Sequence, residues 1–127
     1  MYPILVLRGE TPELVPRLGA RSKQVEKRVR KACEAFELAV PHALEDVDDS
    51  ALTLAQLYVR LIRIHPFVDG NGRTAWAAIQ FAAGRLGFPF VQSTPTLEAR
   101  LALGDAIRNG NNIGRLVDHI KDAAWHQ

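Results

Sequence analysis

The sequence predicts an all-α protein. Apolar residues recur every three or four positions along most of the chain, which is typical of amphipathic helices. Only one short segment is β-prone, and no repeat, low-complexity tract or Gly/Ser linker divides the chain. With 127 residues, 47% of them hydrophobic, the chain is long enough for one core. We therefore predict that residues 1–127 form a single domain of about five to six helices.

The N-terminal part is predicted to be a strand and a loop. Residues 2–7 are β-prone, and prolines and glycines interrupt the segment that follows, so residues 1–19 are assigned to these elements. A first helix is predicted over residues 21–40, where apolar side chains recur at helical spacing and Pro41 follows as a terminator. Cys33, the single cysteine, cannot form an internal disulfide, and it lies among the apolar residues of this helix, so it is predicted to be a core residue rather than a reactive thiol.

Two helices are predicted to form the centre of the fold. An acidic cluster at residues 45–49 precedes an apolar pattern that wraps most of the way around a helix, which indicates burial on several sides. A second helix is predicted from Asn71 to about Leu86, ending at Gly84 and Gly87. Residues 97–107 and 113–125 predict two further helices, separated by a break at residues 109–112.

Composition argues against two classes of partner. The 16 Lys and Arg residues balance 14 Asp and Glu to a net charge of +2, so no polybasic surface is predicted and nucleic acid is not an expected partner. No apolar stretch approaches the ~20 residues that span a bilayer, and residues 4–7 are too short for the core of a signal peptide. The expected location is the cytoplasm, without membrane contact.

The connection between the two central helices carries the polar residues that chemistry requires. Gly70 and Gly72 allow backbone N–H groups to approach an anion, and the start of the next helix adds its unpaired amides. The positive charge of Arg73 is unfavourable in the first turn, at the positive end of the helix dipole, unless a bound anion offsets it. Asp69 offers a hard oxygen ligand for Mg²⁺. An isolated Gly-Asn-Gly is more often only a turn, and Asp69 could equally cap the helix.

His65 supplies a group that titrates near neutrality and could take a proton from an attacking hydroxyl, although a single histidine at a helix end is often structural. Phe67 is predicted to anchor the loop in the core, which would fix the directions of His65 and Asp69. The loop therefore predicts a phosphate and metal site.

Residues 65–73, His-Pro-Phe-Val-Asp-Gly-Asn-Gly-Arg, resemble the Fic signature His-x-Phe-x-Asp/Glu-Gly-Asn-Gly-Arg-x-x-Arg, with seven of its eight specified positions matching. The resemblance is best over residues 50–92, and the length resembles a minimal Fic or Doc domain. It implies a Fic fold around a helix-loop-helix, with residues 2–7 as a candidate for the β-hairpin flap that pairs with a target.

The resemblance also implies an activity: ATP and Mg²⁺ bind at the loop, and AMP is transferred to a Ser, Thr or Tyr hydroxyl of a target protein. His65 would be the general base and Asp69 the metal ligand. Gly70, Asn71 and Gly72 would surround the α-phosphate, and Arg73 would steady the phosphate chain.

Two departures from the signature keep alternatives open. Trp76 occupies the position of the second arginine, which makes the grip on the far phosphates doubtful and leaves open a degenerate domain that binds nucleotide without catalysis. Residues 74–76, Thr-Ala-Trp, resemble Doc-type kinases, bacterial toxins that carry Lys at the position of Gly72 here. Gly72 favours transfer of AMP or another nucleoside monophosphate over phosphorylation.

No inhibitory helix of the form Ser/Thr-x-x-x-Glu-Gly/Asn is evident. Only Ser22 with Glu26 and Thr94 with Glu98 have the spacing, and the residues that follow do not fit. Both glutamates are predicted to be ordinary helix residues. One expectation is therefore that a small separate antitoxin-like protein controls the activity. The other is that the loss of the second arginine has removed the need for such control.

Overall fold

The structure, a computed structural model, describes residues 24–64, 71–88, 94–109 and 112–125, with side chains in the last range as far as residue 123. These residues form five α-helices: α1 (Val25–Ala43), α2 (Val47–Ile64), α3 (Asn71–Arg85), α4 (Leu97–Arg108) and α5 (Ile113–Trp125). The described part of the chain contains no strand, which confirms the all-α prediction there. The predicted flap at residues 2–7 lies outside the described residues.

Helix α2 is the centre of the fold, as its apolar pattern predicts. It packs against α1, α3, α4 and α5. The Asp46 carboxylate caps its start by accepting from the Asp48 backbone N–H at 3.0 Å, and Ser50 donates to the Ala43 carbonyl at 2.5 Å, which closes the turn from α1. Because α2 contacts four neighbours, its C-terminal end at Ile64 has a fixed position in the core.

Helix α1 differs from the prediction in two details. Pro41 does not end the helix, which continues to Ala43. Proline removes one backbone hydrogen bond and crowds the preceding turn. The helical bonding nevertheless continues past it, since the Leu44 N–H bonds the Val40 carbonyl at 3.0 Å. Cys33 is exposed, so the prediction of a core cysteine was wrong. Ala32 and Phe36 are buried, whereas Cys33 is rotated one position away and borders an open groove between α1 and α3.

The end of α3 has a defined stop signal. Gly87 adopts a positive φ of 68°, a conformation that glycine reaches without a Cβ penalty. The Phe88 N–H bonds the Ala83 carbonyl at 2.8 Å and the Gly87 N–H bonds the Gly84 carbonyl at 3.2 Å, which is the Schellman pattern. Phe88 is buried beside this cap. The sequence prediction of a glycine stop near Gly87 is therefore confirmed.

Helices α4 and α5 pack on each other and on α2. Thr96 caps α4 by accepting from the Ala99 N–H at 3.1 Å. Lys121 on α5 pairs with Asp48 on α2 at 2.6 Å, and this hydrogen bond raises the pKa of the lysine. None of the described helices is long and apolar enough to cross a membrane.

Candidate active site

The loop with the chemistry joins the two helices that the sequence predicts to be central. Helix α2 ends at Ile64 and α3 begins at Asn71. His65, Phe67, Asp69 and Gly70 lie in residues 65–70, outside the described residues. The structure thus defines where the loop leaves the core and where it returns, and it describes the remaining predicted residues on α3.

The first turn of α3 has the charge pattern of an anion site. It contains no acidic residue, whereas the first turns of α1, α2 and α4 each carry at least one. The first turn of α5 also lacks an acid, but there Arg115 pairs with Asp105 at 3.4 Å. Gly72 and Arg73 are exposed in this turn, and Arg73 has no ion-pair partner among the described residues. Unpaired amides at a helix start favour a negative ligand, and a nearby guanidinium adds to that preference. The turn is therefore open to an anion and electrostatically suited to one.

Asn71 and Gly72 contribute differently to this turn. Asn71 is only 9% exposed, so its side chain is largely buried at the start of α3. Gly72 has open space where a Cβ would project: in the described part of the chain, no atom beyond its neighbours and the backbone of its own helix lies within 4 Å. A larger side chain at residue 72 would consequently extend over the exposed first turn without disturbing the core.

Trp76, the residue in the place of the second signature arginine, lies in the core. Its side chain is 3% exposed, and its ring centroid is 5.7 Å from that of Tyr58 on α2, with the ring planes inclined at 57°. This tilted contact is a favourable aromatic geometry. The indole packs α3 against α2, while Arg73, three residues earlier, remains exposed. Among the described residues, the site therefore gains its cationic group from Arg73 and none from residue 76.

Burial of Tyr58 predicts a loss of stability at alkaline pH. Desolvation raises the pKa of the phenol from 10.0 to about 12, partly opposed by the charge of Arg100. Between pH 10 and about 12 the unfolded chain therefore loses the phenol proton while the folded protein keeps it. The stability that comes from the buried neutral phenol is fully present below pH 10 and falls as the pH rises towards about 12. Urea unfolding across this range should show wild type losing up to about 2 kcal/mol more than Tyr58→Phe. Parallel pH profiles for the two proteins would contradict this.

Arg63 fixes the end of α2 and was not singled out from the sequence. Its guanidinium donates to the Ile107 carbonyl at 2.9 Å and to the Ala106 carbonyl at 3.4 Å, at the C-terminal end of α4. A cation is favoured at this end of a helix. Because Arg63 precedes His65 by two residues, this contact restrains the backbone that enters the loop. The carbonyl partners are 43 and 44 residues away, so no local sequence signal could have identified it.

The two glutamates with inhibitory-helix spacing lie in first turns of helices. Glu26 pairs with Arg30 at 3.2 Å on the exposed side of α1. Glu98 is exposed in the first turn of α4, just after the Thr96 cap. An acidic residue in a first turn stabilises the helix through its dipole. This role accounts for both glutamates as helix residues.

Comparison with known proteins assigns the family. The model of the Fic/DOC family matches residues 7–83. The chain belongs to the Fic/DOC family. The matched range contains α1, α2, the loop at residues 65–70 and α3 up to Ala83. The resemblance stated from the signature alone is thereby confirmed.

A curated relative gives a narrower comparison. The chain is 54% identical over 35 residues to the uridine 5'-monophosphate transferase of Xanthomonas campestris pv. campestris (strain 8004). The matched stretch is 28% of this chain and only 6% of that much longer protein. No solved structure matches the chain.

Proposed function

We propose that this chain transfers a nucleoside monophosphate from a nucleoside triphosphate to a hydroxyl group of a protein. The observation that carries the proposal is the acid-free, exposed first turn of α3 with Gly72 and Arg73, which directly follows the His65 loop in a Fic/DOC chain. The relative named as a uridine 5'-monophosphate transferase supports this class of reaction.

The site residues of the loop and of the start of α3 have separate roles in this reaction. His65 accepts the proton of the attacking hydroxyl, whose oxygen forms a bond to the α-phosphorus. The bond from that phosphorus to its bridging oxygen breaks, and pyrophosphate leaves with the electron pair. The backbone at Gly70, Asn71 and Gly72 surrounds the α-phosphate oxygens, where amides aimed at developing charge stabilise the transition state. Arg73 binds the departing phosphates through its forked guanidinium.

Asp69 is the residue that would hold Mg²⁺, and Phe67 would anchor the loop. One carboxylate beside a phosphate site fits this ion, which is commonly bound by one or two carboxylates together with substrate phosphates and water. When bound, Mg²⁺ supplies charge neutralisation on the phosphate chain. The first turn of α3 has no carboxylate of its own, which leaves Asp69 next to a turn that attracts anions.

The nucleotide donor is proposed to be ATP or another nucleoside triphosphate. The signature implies ATP, and the curated relative adds UTP as a donor to be tested beside it. Incubation of the protein and a bacterial lysate with each donor, labelled in turn at the α- and the γ-phosphate, tests the proposal. Label transferred to protein from the α-position alone is the expected result.

The same experiment separates two alternatives. Transfer from the γ-position alone would refute nucleotidyl transfer and identify a kinase, the reaction that residues 74–76 suggest. Nucleotide binding by calorimetry without transfer from any donor would identify a degenerate binding domain, which the loss of the second arginine suggests.

Gly72→Lys is expected to reduce nucleotidyl transfer at least tenfold while the protein stays folded. Among the described residues a Cβ at residue 72 meets no atom beyond its own helix, and the gain in helix propensity offsets the cost of a cation in the first turn, so thermal stability should change little. Its ammonium group would occupy part of the anion site and alter the pose of the nucleotide. Gly84→Lys is the matched control, since Gly84 is on the same helix and equally open. Equal activity in the two variants would remove Gly72 from the phosphate site.

A further inference from the structure

A concave cationic surface lies between α1 and α2, beside the end of α2 that leads into the His65 loop. We call it the basic groove. Arg28 and Lys31 border it on α1, Arg60 and Arg63 border it on α2, and Ala32 and Ala35 also line it. Its volume is about 410 Å³. Ile64, the last residue of α2, also lines the groove, so the groove adjoins the point where the loop begins.

The cations of the basic groove lack the carboxylate partners that other cations of this protein have. Elsewhere in the described residues, five cations form ion pairs: Arg30, Arg85, Arg108, Arg115 and Lys121. In the same described part of the chain, none of the four groove cations pairs with a carboxylate, and no carboxylate lines the groove.

The charges of Arg28, Lys31 and Arg60 have no anionic partner among the described residues, whereas that of Arg63 is partly offset by the C-terminal end of α4. Arg28 bonds the neutral amide of Gln24 at 3.1 Å, and Arg63 bonds the carbonyls at the end of α4. Like charges facing each other across a groove repel, whereas an ordinary solvated helix face intersperses cations with acids. An anionic partner would relieve this repulsion.

We propose that the basic groove binds an acidic segment of the protein substrate. The cations form two pairs, each spaced three residues along its helix, which is about 4.5 Å. This compact arrangement fits a few adjacent carboxylates of a peptide, while a nucleic-acid duplex requires an extended basic face. The small side chains of Ala32 and Ala35 leave room for an acidic side chain to enter. A bound segment would bring its own protein close to the loop that carries His65.

The identity of the partner as the substrate rests on the proposed function, but the binding itself does not. The test therefore uses a probe that needs no catalysis: a fluorescent oligoglutamate peptide, with oligoglutamine as the uncharged comparison, followed by fluorescence anisotropy. Wild type should prefer oligoglutamate, and the preference should weaken with salt.

The double variant Lys31→Glu/Arg60→Glu should weaken oligoglutamate binding at least tenfold, since both residues are exposed and their replacement leaves the core intact. Lys27→Glu/Arg30→Glu changes the net charge equally at exposed residues that do not line the groove, and it should weaken binding less than about threefold. Circular dichroism checks the fold of both variants.

Equal losses in the two double variants would overturn the groove as the site, and so would equal binding of oligoglutamine and oligoglutamate by wild type. Single-stranded oligonucleotide that binds more tightly than oligoglutamate, through the same groove residues, would replace the acidic protein segment with nucleic acid as the partner. Because the measurement does not depend on label transfer, its failure would leave the proposed function standing. Failure to observe label transfer would likewise not affect the proposal that the basic groove binds an acidic segment.

Discussion

His65→Ala is expected to lower label transfer from the α-phosphate about 10²–10⁴-fold, the usual contribution of general base catalysis. In the proposed reaction this residue takes the proton of the attacking hydroxyl, and alanine offers no group for that step. Nucleotide binding should be retained, because the proposed anion site consists of the start of α3 and Arg73. The measurements are label transfer and calorimetric nucleotide affinity on the same preparations.

His42→Ala is the matched control for this variant. His42 is exposed in the last turn of α1, and its replacement should change neither transfer nor nucleotide affinity. Transfer that persists at the wild-type rate in His65→Ala would contradict the role of His65. A loss of both transfer and nucleotide binding would instead place His65 in the binding site.

Trp76→Ala is expected to lower the free energy of unfolding by about 3–5 kcal/mol, the usual cost of removing a buried tryptophan. The indole is 3% exposed and contacts Tyr58 across the interface of α2 and α3, so alanine would leave a cavity there. Phe81→Ala is the control, because Phe81 is an aromatic residue on the same helix with 77% exposure, and it should cost far less. Urea unfolding measures both. Similar costs would contradict the core position of Trp76.

Trp76→Arg tests the same position by restoring the second arginine of the signature. We expect an unstable protein with no gain in transfer, since the guanidinium would be buried against Tyr58 without a carboxylate nearby in the described core. A stable variant with higher transfer would show that residue 76 can reach the nucleotide. That result would contradict the description of Trp76 as a packing residue.

The helices could be predicted because each has local signals. The acids before α2, the glycine that ends α3 and the spacing of apolar residues are all short-range features. The same reasoning failed for Cys33, which lies one position beyond the buried stripe of α1. Helical periodicity locates a buried face to within one position, and only the packing partner decides the residue at its edge. The prediction that Pro41 ends α1 was wrong for another reason: proline removes one hydrogen bond, but the bonds on either side of it hold the last turn of the helix.

The candidate site could be predicted from the contiguous motif, but its surroundings could not. Arg63 bonds carbonyls more than forty residues away, and the basic groove combines cations from two helices that are distant in sequence. For Trp76 the motif and the structure lead to different roles. The signature marks it as a missing phosphate ligand, whereas its position on α3 makes it part of the core. Contacts between residues distant in sequence therefore determine the surroundings of the site, and a local motif does not contain them.

The measurement that tests nucleotidyl transfer most directly is intact mass spectrometry of the modified protein. The purified chain is incubated with Mg²⁺, a bacterial lysate and ATP or UTP labelled at the α-phosphate. The proteins that acquire the label are recovered for mass analysis. We expect a mass gain equal to one nucleoside monophosphate less water, and no gain when His65 is replaced by alanine. A gain equal to a single phosphoryl group would contradict nucleotidyl transfer.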